Sequence, residues 1–222
     1  MKALIVAAAP VTGSPRLVAR LAPTFDPVIA VDGGGSICID AGVVPDVLLG
    51  DFDSIDPAAL EWLQGAGARV LTFPADKDQT DLELALDYAR SVGVTSVTVT
   101  AASSGRLDHT LGALGALAAA SALSPELIEP ELTAWILALD GRAELLAVGL
   151  GATISLVAFG GDAVVSVAGV RWPLDRHVLS PAAALGISNV VTSESGAKVT
   201  LHSGVVLALA PRMPHALQIR AK

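Results

Sequence analysis

The chain has 222 residues, 52% of them apolar and only 4% aromatic, and a formal net charge of −8. That length can bury a sizeable core in one large or two small domains, and the acidic balance argues against wrapping a nucleic-acid backbone, which calls for basic patches. No run reaches the ~18 uninterrupted apolar residues that a bilayer span needs, and the single cysteine, Cys38, rules out an internal disulfide and fits a reducing cytoplasm.

The N-terminal MKALIVAAAPVTG carries one lysine and a short apolar run before Pro10, Gly13 and Pro15. It reads as a buried first strand over 3–8 rather than a secretory signal. Helix signals follow over 15–21, 36–41 and 57–65, alternating with apolar strands over 28–31, 47–49 and 69–73. Thr80 with Glu83 forms a capping box ahead of Leu82, Ala85, Leu86 and Ala89 at helical spacing. A β-branched strand over 94–100, a loop SSGRLDH and an Ala/Leu helix from about Thr110 complete this half. Continuous apolar strands alternating with helices predict a three-layer α/β domain with a mostly parallel sheet covered on both faces.

SPELIEPEL at 124–132 breaks the pattern and reads as a linker, which places the boundary between an α/β domain over 1–125 and a second domain over 126–222. Beyond it lie only short strand signals, over 133–139, 143–147, 153–158, 163–170, 198–202 and 205–210. Asp140-Gly141 and Ser203-Gly204 are hairpin turns. The expectation is an all-β sandwich or barrel.

The chemistry concentrates between Asp32 and Asp81, where VDGGG (31–35), GDFDS (50–54) and DKDQTD (76–81) set acids into turn-rich sequence. Carboxylates crowded this way repel one another unless a cation sits among them, and a hard divalent ion shared with substrate phosphates is the usual solution. Each run follows a predicted strand, where open parallel sheets bind ligands. In an extended GDFDS, Asp51 and Asp53 would point to one face and present two carboxylates to Mg²⁺; an Asx-turn with solvated acids is the alternative use of the same residues. Asp78 precedes the helix cap and is a ligand candidate, whereas Asp81 opens the helix, where its dipole already favours a carboxylate. Lys77 can neutralise a phosphate. In SGRLDH (104–109), Arg106 can bind phosphate bidentately, Asp108 can cap the following helix, and His109 can contact phosphate or orient Asp108. The chain has no Walker-type loop, no zinc-like Cys/His cluster and no dinucleotide fingerprint at Gly33–Gly35.

VDGGG, GVVPDVLLGDFDS, DKDQTDLELAL and SGRLDHTLG, in this order and at these separations, resemble the thiamine pyrophosphokinase family, in detail over 28–115 and more loosely over the whole chain. The resemblance implies an ATP- and Mg²⁺-binding catalytic domain followed by a thiamine-binding, dimerising β-sandwich. It also implies transfer of pyrophosphate from ATP to the hydroxyethyl oxygen of thiamine, with release of AMP, by a homodimer. It maps the metal and phosphate acids onto Asp32, Asp51, Asp53, Asp78 and Asp81, with Asp51, Asp53 and Asp78 as metal ligands; one of the aspartates is expected to accept the hydroxyl proton, with Asp78 or Asp81 the preferred candidates. Gly33, Lys77, Arg106, Asp108 and His109 join Asp32 on the nucleotide phosphates. GVRWPL (169–174) and ISNV (187–190) resemble the pyrimidine-binding segments, so Trp172 is expected either to stack on thiamine or to fill the sandwich core, with Ser188 or Asn189 hydrogen-bonding the ring. Two departures stand out: Ser104 where the family usually has glycine, and Ala113 where an asparagine is common. The alternatives are a hydroxymethylpterin pyrophosphokinase with the same chemistry and a non-catalytic nucleotide or thiamine sensor.

Overall fold

A computed structural model describes residues 1–9, 11–138 and 143–212, and they form two compact units, Met1–Pro130 and Glu131–Lys222. The first unit alternates strand and helix: β1 (Lys2–Val6), α1 (Ser14–Leu21), β2 (Val28–Val31), α2 (Gly34–Asp40), β3 (Val47–Gly50), α3 (Pro57–Gly65), β4 (Arg69–Thr72), α4 (Asp81–Ser91), β5 (Ser96–Thr100), α5 (Leu107–Ala119) and β6 (Glu126–Ile128). Its six strands lie in the order β6-β5-β1-β2-β3-β4 and every pairing is parallel. The chain reverses its direction of travel across the sheet between β1 and β5.

The strands are apolar throughout because both faces are covered. Successive side chains point to opposite faces, so Leu4, Val6, Ala30 and Leu48 meet Val18 of α1, Cys38 of α2 and Leu63 of α3. α4 packs on β2 and β3 and also touches α5. Burial pushes the Cys38 thiol up to about 12, so it is a packing residue with no thiolate chemistry at neutral pH. Helix α2 approaches β1 so closely that a Cβ on Gly34 would lie 2.1 Å from the Val6 carbonyl oxygen. The predicted capping box is present: Glu83 N–H donates to Thr80 Oγ1 at 3.3 Å and Thr80 N–H donates to Glu83 Oε2 at 2.7 Å.

Two expectations are corrected in this unit. The segment read as a linker contains β6, which pairs with β5 and carries Glu126, whose Oε1 accepts from Thr98 Oγ1 at 2.7 Å. Helix α5 starts three residues earlier than Thr110, with Arg106 at its N-cap and no side-chain cap, so Asp108 lies inside the first turn and does not cap.

Among the described residues the second unit holds eight strands: β7 (Leu132–Leu137), β8 (Ala143–Leu146), β9 (Thr153–Ala158), β10 (Ala163–Ala168), β11 (Leu174–Leu179), β12 (Asn189–Val190), β13 (Ala197–Ser203) and β14 (Val206–Pro211). They form two antiparallel arrays, β12-β9-β14-β7 and β11-β10-β13-β8. Inward residues such as Leu146, Ile154, Val165, Val199, Leu201 and Val206 fill the space between them, as in a sandwich. Gly204 sits at the β13–β14 turn with φ +83°, where a Cβ would meet the Asp162 carbonyl oxygen at 2.6 Å. The expected Asp140-Gly141 turn lies outside the described residues. Among the described residues no helix is long and apolar enough to cross a membrane.

Candidate active site

The acids gather beyond the carboxyl ends of neighbouring strands. Asp32 follows β2 in the left-handed region (φ 47°), 7% exposed, and Asp51 and Asp53 follow β3. One ligand oxygen from each of Asp32, Asp51 and Asp53 lies within 4.8 Å of the others. Gly50 makes this approach possible: its φ is +152° and a Cβ there would lie 3.1 Å from the Asp32 Cβ. The mechanism of convergence differs from the expected extended GDFDS, because Phe52 takes φ 64° and packs its ring against the apolar core. Asp51 Oδ1 accepts from Asp53 N–H at 3.2 Å, so the Asx-turn is present and the same turn folds the two acids together.

Burial raises the Asp32 pKa; the Ser54 hydrogen bond opposes that rise, and the charges of Asp53 and Asp51 add to it. Ser54 Oγ donates a short hydrogen bond to Asp32 Oδ2 and accepts from Gly33 N–H at 3.2 Å. Asp32 Oδ1 is buried with no hydrogen-bond partner. A buried, unpartnered carboxylate oxygen on an acid that clusters with two further carboxylates costs free energy that a cation would recover. The donor set is all hard oxygen, which suits Mg²⁺. Ser54, which holds both Asp32 and Gly33, was missed by sequence reasoning although it closes the GDFDS run.

Lys77 Nζ lies 3.5 Å from Asp51 Oδ2 and 3.1 Å from Asp81 Oδ1, and donates to the Pro74 carbonyl at 2.9 Å. Desolvation opposes its charge, but Asp81 and then Asp51 outweigh it and raise its pKa. Asp78 is exposed and is not among the three converging acids. Gln79 donates to Asp87 Oδ2 at 2.9 Å.

After β5 the chain presents Arg106, Asp108 and His109, all exposed. Arg106 pairs with Asp108 at 2.7 Å, a hydrogen bond that raises the arginine and holds the Asp108 carboxyl below the usual carboxylate range. Ser104, one of the two departures, fits: its hydroxyl accepts from Arg106 N–H at 3.1 Å and donates to the Arg106 carbonyl at 3.2 Å. The serine side chain therefore braces the peptide that a glycine would leave free.

In the second unit a cleft of about 380 Å³ is lined by Ile154, Leu156, Trp172, Ile187, Ser188 and Asn189, among others. Trp172 is 56% exposed, which removes the core alternative, and the Arg171 guanidinium lies 5.6 Å from its ring centre. Asn189 Nδ2 donates to the Trp172 carbonyl at 2.7 Å and its Oδ1 accepts from Trp172 N–H at 3.1 Å and Val190 N–H at 2.9 Å. The amide clamps the Trp172 backbone as a paired strand would. Ser188 takes φ 60° and its N–H donates to Ser155 Oγ at 3.0 Å.

Two family descriptions match the chain: "Thiamin pyrophosphokinase, catalytic domain" over residues 18–128 and "Thiamin pyrophosphokinase, vitamin B1 binding domain" over 144–206. The thiamine pyrophosphokinase of Bacillus subtilis (strain 168) is 39% identical over 84 residues, a stretch spanning 38% of this chain and 39% of that relative. Thiamine pyrophosphokinase 1 of Oryza sativa subsp. japonica is 27% identical over 177 residues, 76% of this chain and 67% of the relative. A crystal structure of thiamine pyrophosphokinase from Bacillus subtilis superimposes with a TM-score of 0.81 at 25% identity, covering 96% of this chain and all of that one. The enzyme from Candida albicans shares the fold at 13% identity, with a TM-score of 0.80 over 95% of this chain and 89% of its own. With the catalytic description alone spanning half its length, the chain belongs to the thiamin pyrophosphokinase family of enzymes.

Proposed function

We propose that the protein transfers the β,γ-pyrophosphoryl group of ATP to the hydroxyethyl oxygen of thiamine, giving thiamine diphosphate and AMP. The observation that carries this reading is the convergence of Asp32, Asp51 and Asp53, with one Asp32 carboxylate oxygen buried and unpartnered. These three would hold Mg²⁺, and the ion, when bound, would neutralise charge on the transferring phosphates. Arg106 exchanges Asp108 for phosphate oxygens, which its fork matches bidentately. His109, beside it in the first turn of α5, and the Gly33 segment complete the polyphosphate contacts. Lys77 neutralises phosphate charge from the 76–81 loop. The thiamine oxygen forms its bond to Pβ as the bond from Pβ to the α,β-bridging oxygen breaks, AMP leaves with that oxygen, and the hydroxyl proton passes to Asp78 or Asp81. Positioning in line and charge stabilisation account for most of such a reaction's acceleration.

In the second unit Trp172 offers a flat face for the pyrimidine and Ser188 a polar contact, while Asn189 fixes the Trp172 backbone. On the family resemblance we place the protein as a homodimer, and on its single buried cysteine in the reducing cytoplasm. The deciding measurement is AMP release from ATP with and without Mg²⁺, using thiamine or 6-hydroxymethylpterin as acceptor. Mg²⁺-dependent turnover with thiamine is expected, and Asp51→Asn or Asp53→Asn should lower it by about a hundredfold or more while leaving the fold intact. Turnover with the pterin alone would change the acceptor. Ligand binding without AMP release would make the protein a sensor.

A further inference from the structure

The segment after β6 places a carboxylate where it reaches the loop that carries Arg106. Glu129 is 3% exposed. Its Oε2 accepts from Ala101 N–H at 3.1 Å, and its Oε1 accepts from Ala102 N–H and Ser103 N–H, both at 2.9 Å. Three successive amides pointing into one concavity form an anion-binding nest, and here the anion is supplied from within the chain. Ala101 takes φ 55° inside this nest, a conformation that an L-residue adopts only when its surroundings hold it. On the other side the Ala101 carbonyl accepts from Ala9 N–H at 2.7 Å. The parallel β5–β6 register, with Val99 opposite Leu127, brings Glu129 alongside Ala101.

From Ser103 the chain runs directly into the brace around Arg106. Ser104 N–H donates to Thr110 Oγ1 at 3.0 Å, and the Ser104 hydroxyl holds both the N–H and the carbonyl of Arg106. The Arg106 backbone is thus fixed at one end by Glu129 and at the other by the first turn of α5. Its guanidinium stands exposed with Asp108 as partner.

We propose that Glu129 is a positioning residue for the nucleotide: its buried carboxylate sets the course of the 101–105 loop and so where Arg106 meets phosphate. This rests on the reading above that Arg106 binds the nucleotide phosphates. The test compares wild type, Glu129→Gln, Glu129→Asp, Arg106→Ala and the Glu129→Gln/Arg106→Ala double variant in steady-state kinetics with each substrate varied. Glutamine keeps the shape and one acceptor oxygen but loses the charge and turns an NH2 toward at least one of the three N–H donors, and should raise KM for ATP about tenfold. KM for thiamine should stay within about twofold. Aspartate keeps the charge but withdraws it by one methylene, and should give a smaller shift in the same parameter. The double variant should match Arg106→Ala within about twofold, because a loop without its guanidinium has nothing left to position. Equal losses toward both substrates, or effects that multiply in the double variant, would overturn the proposal. If Glu129→Gln fails to fold, Glu129→Asp alone and combined with Arg106→Ala carries the same comparison. Should wild type release no AMP, the activity reading fails by itself. The same five proteins titrated with Mg·ATP by calorimetry then decide Glu129, with non-additive losses of affinity supporting it and additive ones overturning it.

Discussion

Asp32 sits where ionisation is disfavoured, by burial and by the neighbouring charges of Asp53 and Asp51. Its folded pKa therefore lies above the ordinary 3.8, and between the two values the folded state holds the proton more tightly than the unfolded chain. Stability consequently falls as pH rises through that window, and the loss persists at neutral pH. Asp32→Asn should then raise the melting temperature of the Mg²⁺-free protein, by about 2–4 °C for each kcal/mol of desolvation and repulsion removed, while turnover collapses. A lowered melting temperature in calorimetry would mean that the Ser54 bond outweighs the repulsion. A second residue-scale outcome concerns the cleft. Asn189→Ala removes the clamp on Trp172 and should raise the apparent KM for thiamine about tenfold with kcat within about twofold. Trp172→Ala should do the same without lowering the melting point, since its ring is exposed. A variant that unfolds would return Trp172 to a packing role.

Among the elements, α2 depends on having no side chain at Gly34, where a Cβ would stand 2.1 Å from a backbone oxygen that cannot rotate away. Gly34→Ala should force α2 off β1 and cost about 3 kcal/mol, read by urea denaturation. Because α2 begins two residues after Asp32, weaker Mg²⁺ dependence should accompany the loss. Local signals were legible in the sequence wherever one element decided its own form: the Thr80–Glu83 box and the apolar runs of β1, β2 and β3 needed no distant partner. They failed where a partner decided. The Glu-rich segment 124–132 reads as a linker until β6 pairs with β5, Thr98 bonds Glu126 and the amides of residues 101–103 bond Glu129. The start of α5 was misplaced because Arg106 offers no capping side chain. Strand β11 escaped notice because LDRHVL is exposed along most of its length and lacks alternation.

Across the whole molecule, the gathering of Asp32, Asp51 and Asp53 was readable because strand ends of a parallel sheet share one edge, so acids separated by many residues can be assigned to one place before any coordinate is known. Fine orientation was not readable. Nothing in GVRWPL tells that Trp172 is exposed, and nothing in DKDQTD tells that Asp78 is not one of the three clustered acids while Lys77 spans Asp51 and Asp81. That last arrangement makes the ammonium group a built-in counterion, a rival to any incoming divalent ion as well as an aid to the polyphosphate. Replacing it with a neutral isostere should therefore split two affinities that usually travel together. Lys77→Met should bind free Mg²⁺ roughly threefold to tenfold more tightly yet bind ATP more weakly, and calorimetric titrations of each alone would register the opposing signs.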